Sequence, residues 1–289
     1  MTNRPVGIWG RGNWLDHSRR SEACEVAAEI EALGYESLWL SAGFDDGVPS
    51  LFGDLLGATS TLTIASGVLS IWHSTATQTA AAYNSLDQVH PGRFLLGLGA
   101  SHGPMVEATN QIYERPYSRM VHYLDELAEQ QPGVPIENLI LAALGPRMLQ
   151  LAAERASGAH PYFVPVEYTV LARETMGQEA LLIPEQGVVL ESDPRIARAI
   201  ARDHMELYLS LPNYTSNLNR LGFDDDEIKN GGSDRLVDAI IAWGGVDAIV
   251  ERVDEQLAAG ASSVCLQVLN GDSPEFPLSQ YRNLATALF

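Results

Sequence analysis

The chain has 289 residues, with 18 Lys plus Arg set against 37 Asp plus Glu, a formal net charge of −19 and a pI near 4.6. Such an excess of acid excludes a general nucleic-acid binder or a protein held on anionic lipid, because both depend on clustered basic residues. At 46% hydrophobic and 19% charged, the composition is that of a soluble globular protein, and the length suits a single domain over residues 1–289. No stretch approaches the ~20 apolar residues of a membrane span, and the polar start Met1-Thr2-Asn3-Arg4 lacks the apolar core of a secretory signal, so a cytoplasmic location is expected.

In chain order, eight short apolar runs rich in Val, Ile, Leu and aromatics predict strands at 6–9, 37–40, 62–70, 94–99, 139–144, 160–164, 187–192 and 263–269. Helical spacing fills the intervals, over 20–33, 49–59, 76–89, 194–209 after the N-cap-like Asp193, and 246–259. Gly34 before the second run and Gly260 before the last supply the left-handed turn that commonly ends a helix. Eight successive βα units imply an α/β fold, a (β/α)8 TIM barrel. The competing doubly wound sheet needs G-x-G-x-x-G at its first turn, whereas Gly10-Arg11-Gly12-Asn13-Trp14-Leu15 is one glycine short. Two long intervals, 100–138 after the fourth strand and 211–245 before the final helix and strand, are extra segments at the barrel mouth or edge. The acidic run Asp224-Asp225-Asp226-Glu227 reads as a solvated helix start. Cys24 and Cys265 are too few and too far apart for a disulfide framework or zinc cluster and are expected in the core.

Barrel chemistry sits on the loops that leave the C-terminal strand ends. That criterion selects Ser41, Ser70, Trp72, His73, Ser101, His102, Glu107, Arg147, His160, Tyr162 and Glu167. His102 and His73 follow adjacent strands and are the candidate acid and base, because imidazole exchanges protons near neutral pH. His90 lies at the opposite strand end and is expected to be structural, and Asp45 and Asp46 read as turn formers. No metal is expected, since no His, Cys or carboxylate set has ligand spacing, and the serine-hydrolase elbow and the P-loop are both missing. Phosphate-binding helix starts are offered by Gly145-Pro146 and by Val164-Pro165-Val166-Glu167.

Several stretches together resemble the luciferase-like monooxygenase superfamily, in its actinobacterial branch of coenzyme F420-dependent oxidoreductases. They are Ile64-Ala65-Ser66-Gly67-Val68-Leu69; the passage Leu86-Asp87-Gln88-Val89-His90-Pro91-Gly92-Arg93-Phe94-Leu95-Leu96-Gly97-Leu98-Gly99; Glu114-Arg115-Pro116 with Met120 and Tyr123-Leu124; and Gly158-Ala159-His160-Pro161-Tyr162. The resemblance implies a deazaflavin ring over a bulge at Ser66, Gly67 and Val68, with a non-proline cis peptide at Gly67–Val68. It places the cofactor phosphate near Gly145, His160, Tyr162 and Val164, with Arg147 or Arg173 as the nearby cation. It also implies a homodimer.

The chain departs from the family pattern in two places. Ser41-Ala42-Gly43 stands where many deazaflavin-dependent members have Ser-Asp-His, and Gly99-Ala100-Ser101-His102 stands where the sugar-phosphate dehydrogenase of the superfamily has Gly-Thr-Gly-Glu, which puts His102 at the Glu position. The expected activity is hydride transfer between a small-molecule organic substrate and F420, with His102 moving the proton and His73, Trp72, Ser41 and Tyr214 shaping the substrate pocket under a lid that includes Asn217. The alternatives are an FMN-dependent monooxygenase and a non-catalytic cofactor-binding protein. A Schiff-base lyase is disfavoured because the single lysine, Lys229, lies at no strand end.

Overall fold

The computed structural model describes residues 4–41, 48–271 and 273–289. Its strands are β1 (Val6–Gly10), β2 (Ser37–Leu40), β3 (Thr63–Ser66), β4 (Leu69–Ser70), β5 (Phe94–Gly99), β6 (Leu139–Leu141), β7 (Gly158–Ala159), β8 (Leu181–Leu182), β9 (Glu185–Val189), β10 (Ile241–Trp243) and β11 (Val264–Val268). The helices are α1 (Arg20–Ala32), α2 (Val48–Ala58), α3 (Ala76–Val89), α4 (Gly103–Glu107), α5 (Pro116–Ala128), α6 (Pro146–Arg155), α7 (Val166–Met176), α8 (Pro194–Leu209), α9 (Pro212–Arg220), α10 (Asp225–Ile228), α11 (Asp234–Ile240), α12 (Val246–Ala258) and α13 (Leu278–Leu288).

All strand pairings are parallel, in the order β10-β9-β11-β1-β2-β3-β5-β6-β7-β8, with β4 on β5. The ends of that list approach each other. Leu181 and Leu182 are register partners of Gly158 and Ala159, while on the other side Ser262 N donates to the Leu182 carbonyl at 2.7 Å and Cys265 N to that of Pro184 at 2.9 Å. The segment from β8 into β9 therefore bonds to both ends of the sheet, which curls into a TIM-barrel-like form with helices outside.

The predicted strands stand with revisions, among them an unpredicted β8 at Leu181–Leu182 and a fifth run that ends at Leu141 instead of residue 144. The third run is split, β3 from β4, at a cis peptide between Gly67 and Val68, where the resemblance put it. The sixth lies two residues earlier than read from sequence, because Pro161 has no N–H for a ladder and Phe163 turns back with a left-handed φ of 59°. The seventh starts at Glu185 instead of Gly187. Within 211–245, read as an insertion without strands, β10 pairs with the upper half of β9. Gly34 and Gly260 do take positive φ, 98° and 105°. Asp193 caps α8 by accepting from Arg195 N, and Asp224 caps α10 in a reciprocal pair with Glu227.

Apolar burial falls in two regions. Between sheet and helices lies a large aliphatic layer that includes Val26, Ile30, Leu55, Leu124 and Leu284. Inside the curl, Trp9, Trp39, Ala65, Ile140, Ile183 and Cys265 pack together, with Trp9 and Trp39 in register on β1 and β2. Both cysteines are unpaired; Cys265 is buried as expected, while Cys24 is half-buried against the outer layer.

Candidate active site

At the upper end of β3 the cis bulge removes two ladder positions, and side chain and backbone compensate. Ser66 Oγ donates to the Gly97 carbonyl at 2.9 Å and accepts from Gly97 N at 2.8 Å, so Ser66 is a strap between β3 and β5. Glycine is required on β5, because a Cβ on Gly97 would strike the Ser66 carbonyl and one on Gly99 would come 2.5 Å from Val68 Cγ2. Val68 therefore points at β5. Gly67 donates to the Leu40 carbonyl at 2.6 Å and carries no side chain where Trp9 and Trp39 pack, with Trp9 Nε1 3.0 Å and Trp39 Cβ 3.5 Å from the position a Cβ would take.

The two histidines chosen from sequence go to different places. His102, half-buried before α4, bonds through Nδ1 to Asn213 Oδ1 at 2.9 Å and lies 5.3 Å from the Tyr214 ring. Burial lowers its pKa, and the Asn213 bond partly opposes that. His73 instead lines a cavity of about 200 Å³ between α2, α3 and the sheet, beside Phe52, Leu69 and Tyr83. Trp72 donates from Nε1 to the Ala100 carbonyl at 2.8 Å and is covered by the Arg119 guanidinium, so it is fixed against the loop after β5. Ser41 is half-buried at the end of β2. The neighbouring Ala42, Gly43, Asp45 and Asp46 lie outside the described residues. Glu107 and Glu167 are exposed on helices, Ser70 is buried in β4, and His90 ends α3 at the far side.

Tyr214, buried on α9, contacts Tyr162, Phe163 and Tyr208 as well as His102. Together with Asn213 this lays α9 across the β5 to β7 side of the mouth, and Asn217 is buried beneath it.

Beneath lies a polar network. Tyr162 Oη bonds to Gln267 Oε1 at 2.8 Å, Tyr208 Oη at 2.9 Å and His204 Nε2 at 3.3 Å. Gln267 Oε1 only accepts, so the Tyr162 proton goes there, and Tyr208 Oη and His204 Nε2 both donate to Tyr162. His204 is then a neutral Nε2–H tautomer, consistent with a pKa lowered to about 3 by burial and by the nearby Arg11. His160 is stacked on Trp39 at 4.2 Å, gives Nδ1–H to the Ile183 carbonyl at 2.7 Å, and has its pKa lowered to about 4 by burial. Glu185 is buried, accepts from Phe163 N at 3.2 Å through one oxygen, and has its pKa raised to about 8 by burial. Trp9 Nε1, His160 Nε2 and Glu185 Oε1 are buried without protein partners.

The expected phosphate residues divide in the same manner. Gly145 caps α6 at the mouth, with Arg220 Nη1 3.7 Å from the place a Cβ would occupy. His160 and Tyr162 are committed to the bonds above, and Val164 is buried in the outer layer. Arg147 lies over the Tyr117 ring at 4.0 Å. Arg173 donates to the carbonyls of Gly260, Gly177 and Ala180, which puts it at the opposite, N-terminal end of the strands. The cation beside Gly145 is Arg220. Its signal in sequence was weak, since it ends a polar helix inside a long interval. Glu185 has a clear signal, a lone carboxylate in the apolar run Leu181-Leu182-Ile183-Pro184-Glu185, but lies at no strand end that the loop criterion selects. No His, Cys or carboxylate group suited to a metal occurs among the described residues.

A flat ring and a phosphate find matching features here: a side-chain-free bulge walled by Trp9, the unpartnered Trp9 N–H within the curl, and a helix N-terminus beside a guanidinium. Residues 8–130 match the family model of the luciferase-like monooxygenases. The chain is 24% identical to the 5,10-methylenetetrahydromethanopterin reductase of Archaeoglobus fulgidus over 287 residues, covering 81% of this chain and 85% of that one. Among solved structures it resembles an F420-dependent secondary alcohol dehydrogenase bound to an F420-acetone adduct, with a TM-score of 0.75, 14% identity and full coverage of both chains. It also resembles the coenzyme F420-dependent tetrahydromethanopterin reductase of Methanopyrus kandleri, with a TM-score of 0.71, 14% identity and 98% of each chain. A similar fold occurs in the FMN-bound oxygenating constituent of 3,6-diketocamphane monooxygenase from Pseudomonas putida, with a TM-score of 0.68, 13% identity, 98% of this chain and 96% of that one. What the chain shares with the luciferase-like monooxygenases is the match of residues 8–130 to their family model and, with these solved structures, the fold.

Proposed function

We propose that the chain is an F420-dependent oxidoreductase that passes a hydride between a small organic substrate and the deazaflavin. The observation that carries this reading is the side-chain-free Gly67 beside Trp9 at the end of β3, joined to two F420-dependent enzymes of similar fold. The barrel is read as a closed (β/α)8 form in which β3 with β4, and β8 with β9, each count as one stave and β10 is extra. It works as a cytoplasmic homodimer.

In this reading Gly67 lets the ring approach the backbone, Ser66 and Val68 hold the bulge, and Trp9 walls one side. Gly145 at the start of α6 takes the phosphate with Arg220. When bound, the deazaflavin supplies two-electron hydride chemistry. The protein aligns the reacting carbons, excludes water by the aromatic packing of Tyr162, Tyr208 and Tyr214, and moves one proton. His102 is the residue for that proton, because its depressed pKa keeps the ring neutral and Asn213 fixes its orientation. Ser41 and Tyr214 border the substrate. His73 and Trp72 act from outside the mouth, by supporting the bulge and the loop after β5.

FMN is the second reading, favoured by the FMN-bound relative. Titration of the protein with F420 and, in parallel, with FMN separates the two, followed by quenching of tryptophan fluorescence, to which Trp9 is placed to respond. Selective F420 binding, with turnover cut about 10²–10⁴-fold in His102→Ala at unchanged cofactor affinity, is the expected result. Selective FMN binding replaces the F420 assignment, and binding of neither ends the redox reading.

A further inference from the structure

Glu185, at the start of β9, is the only buried carboxyl among the described residues. It leans along the strand toward the mouth, since Oε1 lies 3.5 Å from the place a Cβ on Gly187 would take. Its two oxygens differ. Oε2 accepts from Phe163 N at 3.2 Å, whereas Oε1 has no partner.

The turn held in this way is strained. Phe163, with a φ of 59°, is the only buried one of the described non-glycine residues with positive φ, and an L side chain keeps that conformation only where its surroundings enforce it. Among the described residues Glu185 is the one acceptor of the Phe163 N–H. The turn presents the Tyr162 hydroxyl to Gln267, Tyr208 and His204, and it places the Phe163 ring 5.1 Å from that of Tyr208 and 5.5 Å from that of Tyr214. Tyr214 in turn lies against His102, so the carboxyl under the turn supports the aromatic wall of the mouth.

That support suits a neutral acid. A buried carboxylate with one hydrogen bond and no basic side chain bonded to it is poorly compensated, and burial raises the Glu185 pKa to about 8. The titratable groups coupled to it are Tyr162 on the loop after β7, Tyr208 on α8, Tyr214 on α9 and Cys265 on β11; burial raises the pKa of each, so none supplies a positive charge. His160 and His204 are neutral in this range as well, and the cation of the region, Arg11, acts on His204 and Tyr208.

We propose that Glu185 is a positioning residue of the site: as a neutral acid it holds the Phe163 turn and the wall of Tyr162, Tyr208 and Tyr214 closed, and on ionising it draws in water and opens that wall locally. The inference rests on the reading of the mouth as the active site. Amide exchange without cofactor or substrate tests it separately, so its failure leaves that reading to the F420 and FMN titration.

The experiment follows hydrogen exchange of the full-length protein by mass spectrometry between about pH 5.5 and 9, corrected for the intrinsic pH dependence of exchange, in peptides that contain residues 162–164 and α9. An opened carboxyl returns to the usual 4.5, so the protection of both segments should fall about tenfold per pH unit up to about pH 8 and then level off, while staying below that of the β2 amides throughout. Glu185→Gln keeps an acceptor for Phe163 N and cannot ionise, and should show no such slope. Glu185→Leu has no acceptor and should lower the protection of 162–164 at every pH, with circular dichroism confirming the fold. A flat wild-type profile in either segment, a wild-type slope in Glu185→Gln, or unchanged protection in Glu185→Leu overturns the proposal. Protection equal to that of β2 also overturns it, because the wall then opens only with the whole molecule, and the wild-type series is decisive without either variant.

Discussion

Glu185 sets a testable pH dependence at the scale of a single residue. Burial raises its pKa from the usual 4.5 to about 8, so the folded state holds a proton that the unfolded chain has already released. A raised folded pKa means that the associated stability is complete below about pH 4.5 and is lost progressively as the pH rises to about 8. His160 and His204 act in the other direction. Their pKa values of about 4 and about 3 lie below the usual 6.5, so their contribution is present above 6.5 and is lost as the pH falls. Above 6.5 only the glutamate of these three still changes the balance. Urea unfolding should show a loss of about 2 kcal/mol between pH 6.5 and 8, at about 1.36 kcal/mol per pH unit. Glu185→Gln should flatten that limb, and an equal decline in the variant would remove Glu185 as its cause.

At the scale of elements, the start of α6 and the end of α9 act together. The first amides of α6 have no intrahelical acceptor, and Arg220 at the last turn of α9 brings a full positive charge beside them. Arg220→Met should weaken binding of F420 or FMN about 10- to 100-fold, in line with about 1.5–3 kcal/mol for a hydrogen bond to a charged group. Arg147→Met, which removes a cation that lies over Tyr117, should leave affinity within about twofold. Calorimetry of the two variants decides it, and the reverse ranking would move the phosphate away from α9. α9 also ties the mouth to His102, the proposed proton-handling residue, through Asn213. Burial lowers the His102 pKa while the Asn213 bond raises it, so Asn213→Ala should shift the His102 titration to lower pH in NMR, and an upward shift would count against that bond.

At the scale of the whole molecule, the net charge of −19 opposes every anionic ligand before any local contact forms. The association rate of F420 should therefore rise with salt, about several-fold between roughly 0.02 and 0.3 M, because the screening length falls to about 10 Å at 0.1 M and below it at higher salt. Stopped-flow fluorescence measures this, and a rate that falls with salt would show that the mouth itself presents a positive field.

The alternation of apolar runs with helical spacing disclosed the parallel α/β architecture, because a strand buried on both faces must be apolar throughout and a covering helix must be amphipathic. The bulge was legible as well, since Ser66-Gly67-Val68 within the quoted motif carried the cis bond. Two kinds of feature were not legible. β10 and β8 are too short for periodicity to register, and they exist because β9 and β7 offer edges to them. His73 and His102 follow neighbouring strands, yet after the bulge the chain carries His73 outward into the space between α2 and α3. Sequence spacing gives the strand end, while the direction a side chain takes beyond it depends on backbone turns.

What the sequence alone determined is therefore what is local or compositional, namely the charge, the lack of metal-ligand spacing, the order of most strands and helices, and the capping residues, while the bulge came from the family resemblance. What only the tertiary structure decided is which polar groups meet. Tyr162 with Gln267, Tyr208 and His204, Gly145 with Arg220, and Glu185 with Phe163 N come together across separations of 22 to 105 residues, or from helices far apart in the chain. Those meetings follow from closing the sheet, since a curl places one strand end beside another irrespective of chain distance, and the burial that results is what shifts the pKa values on which the proposed chemistry depends.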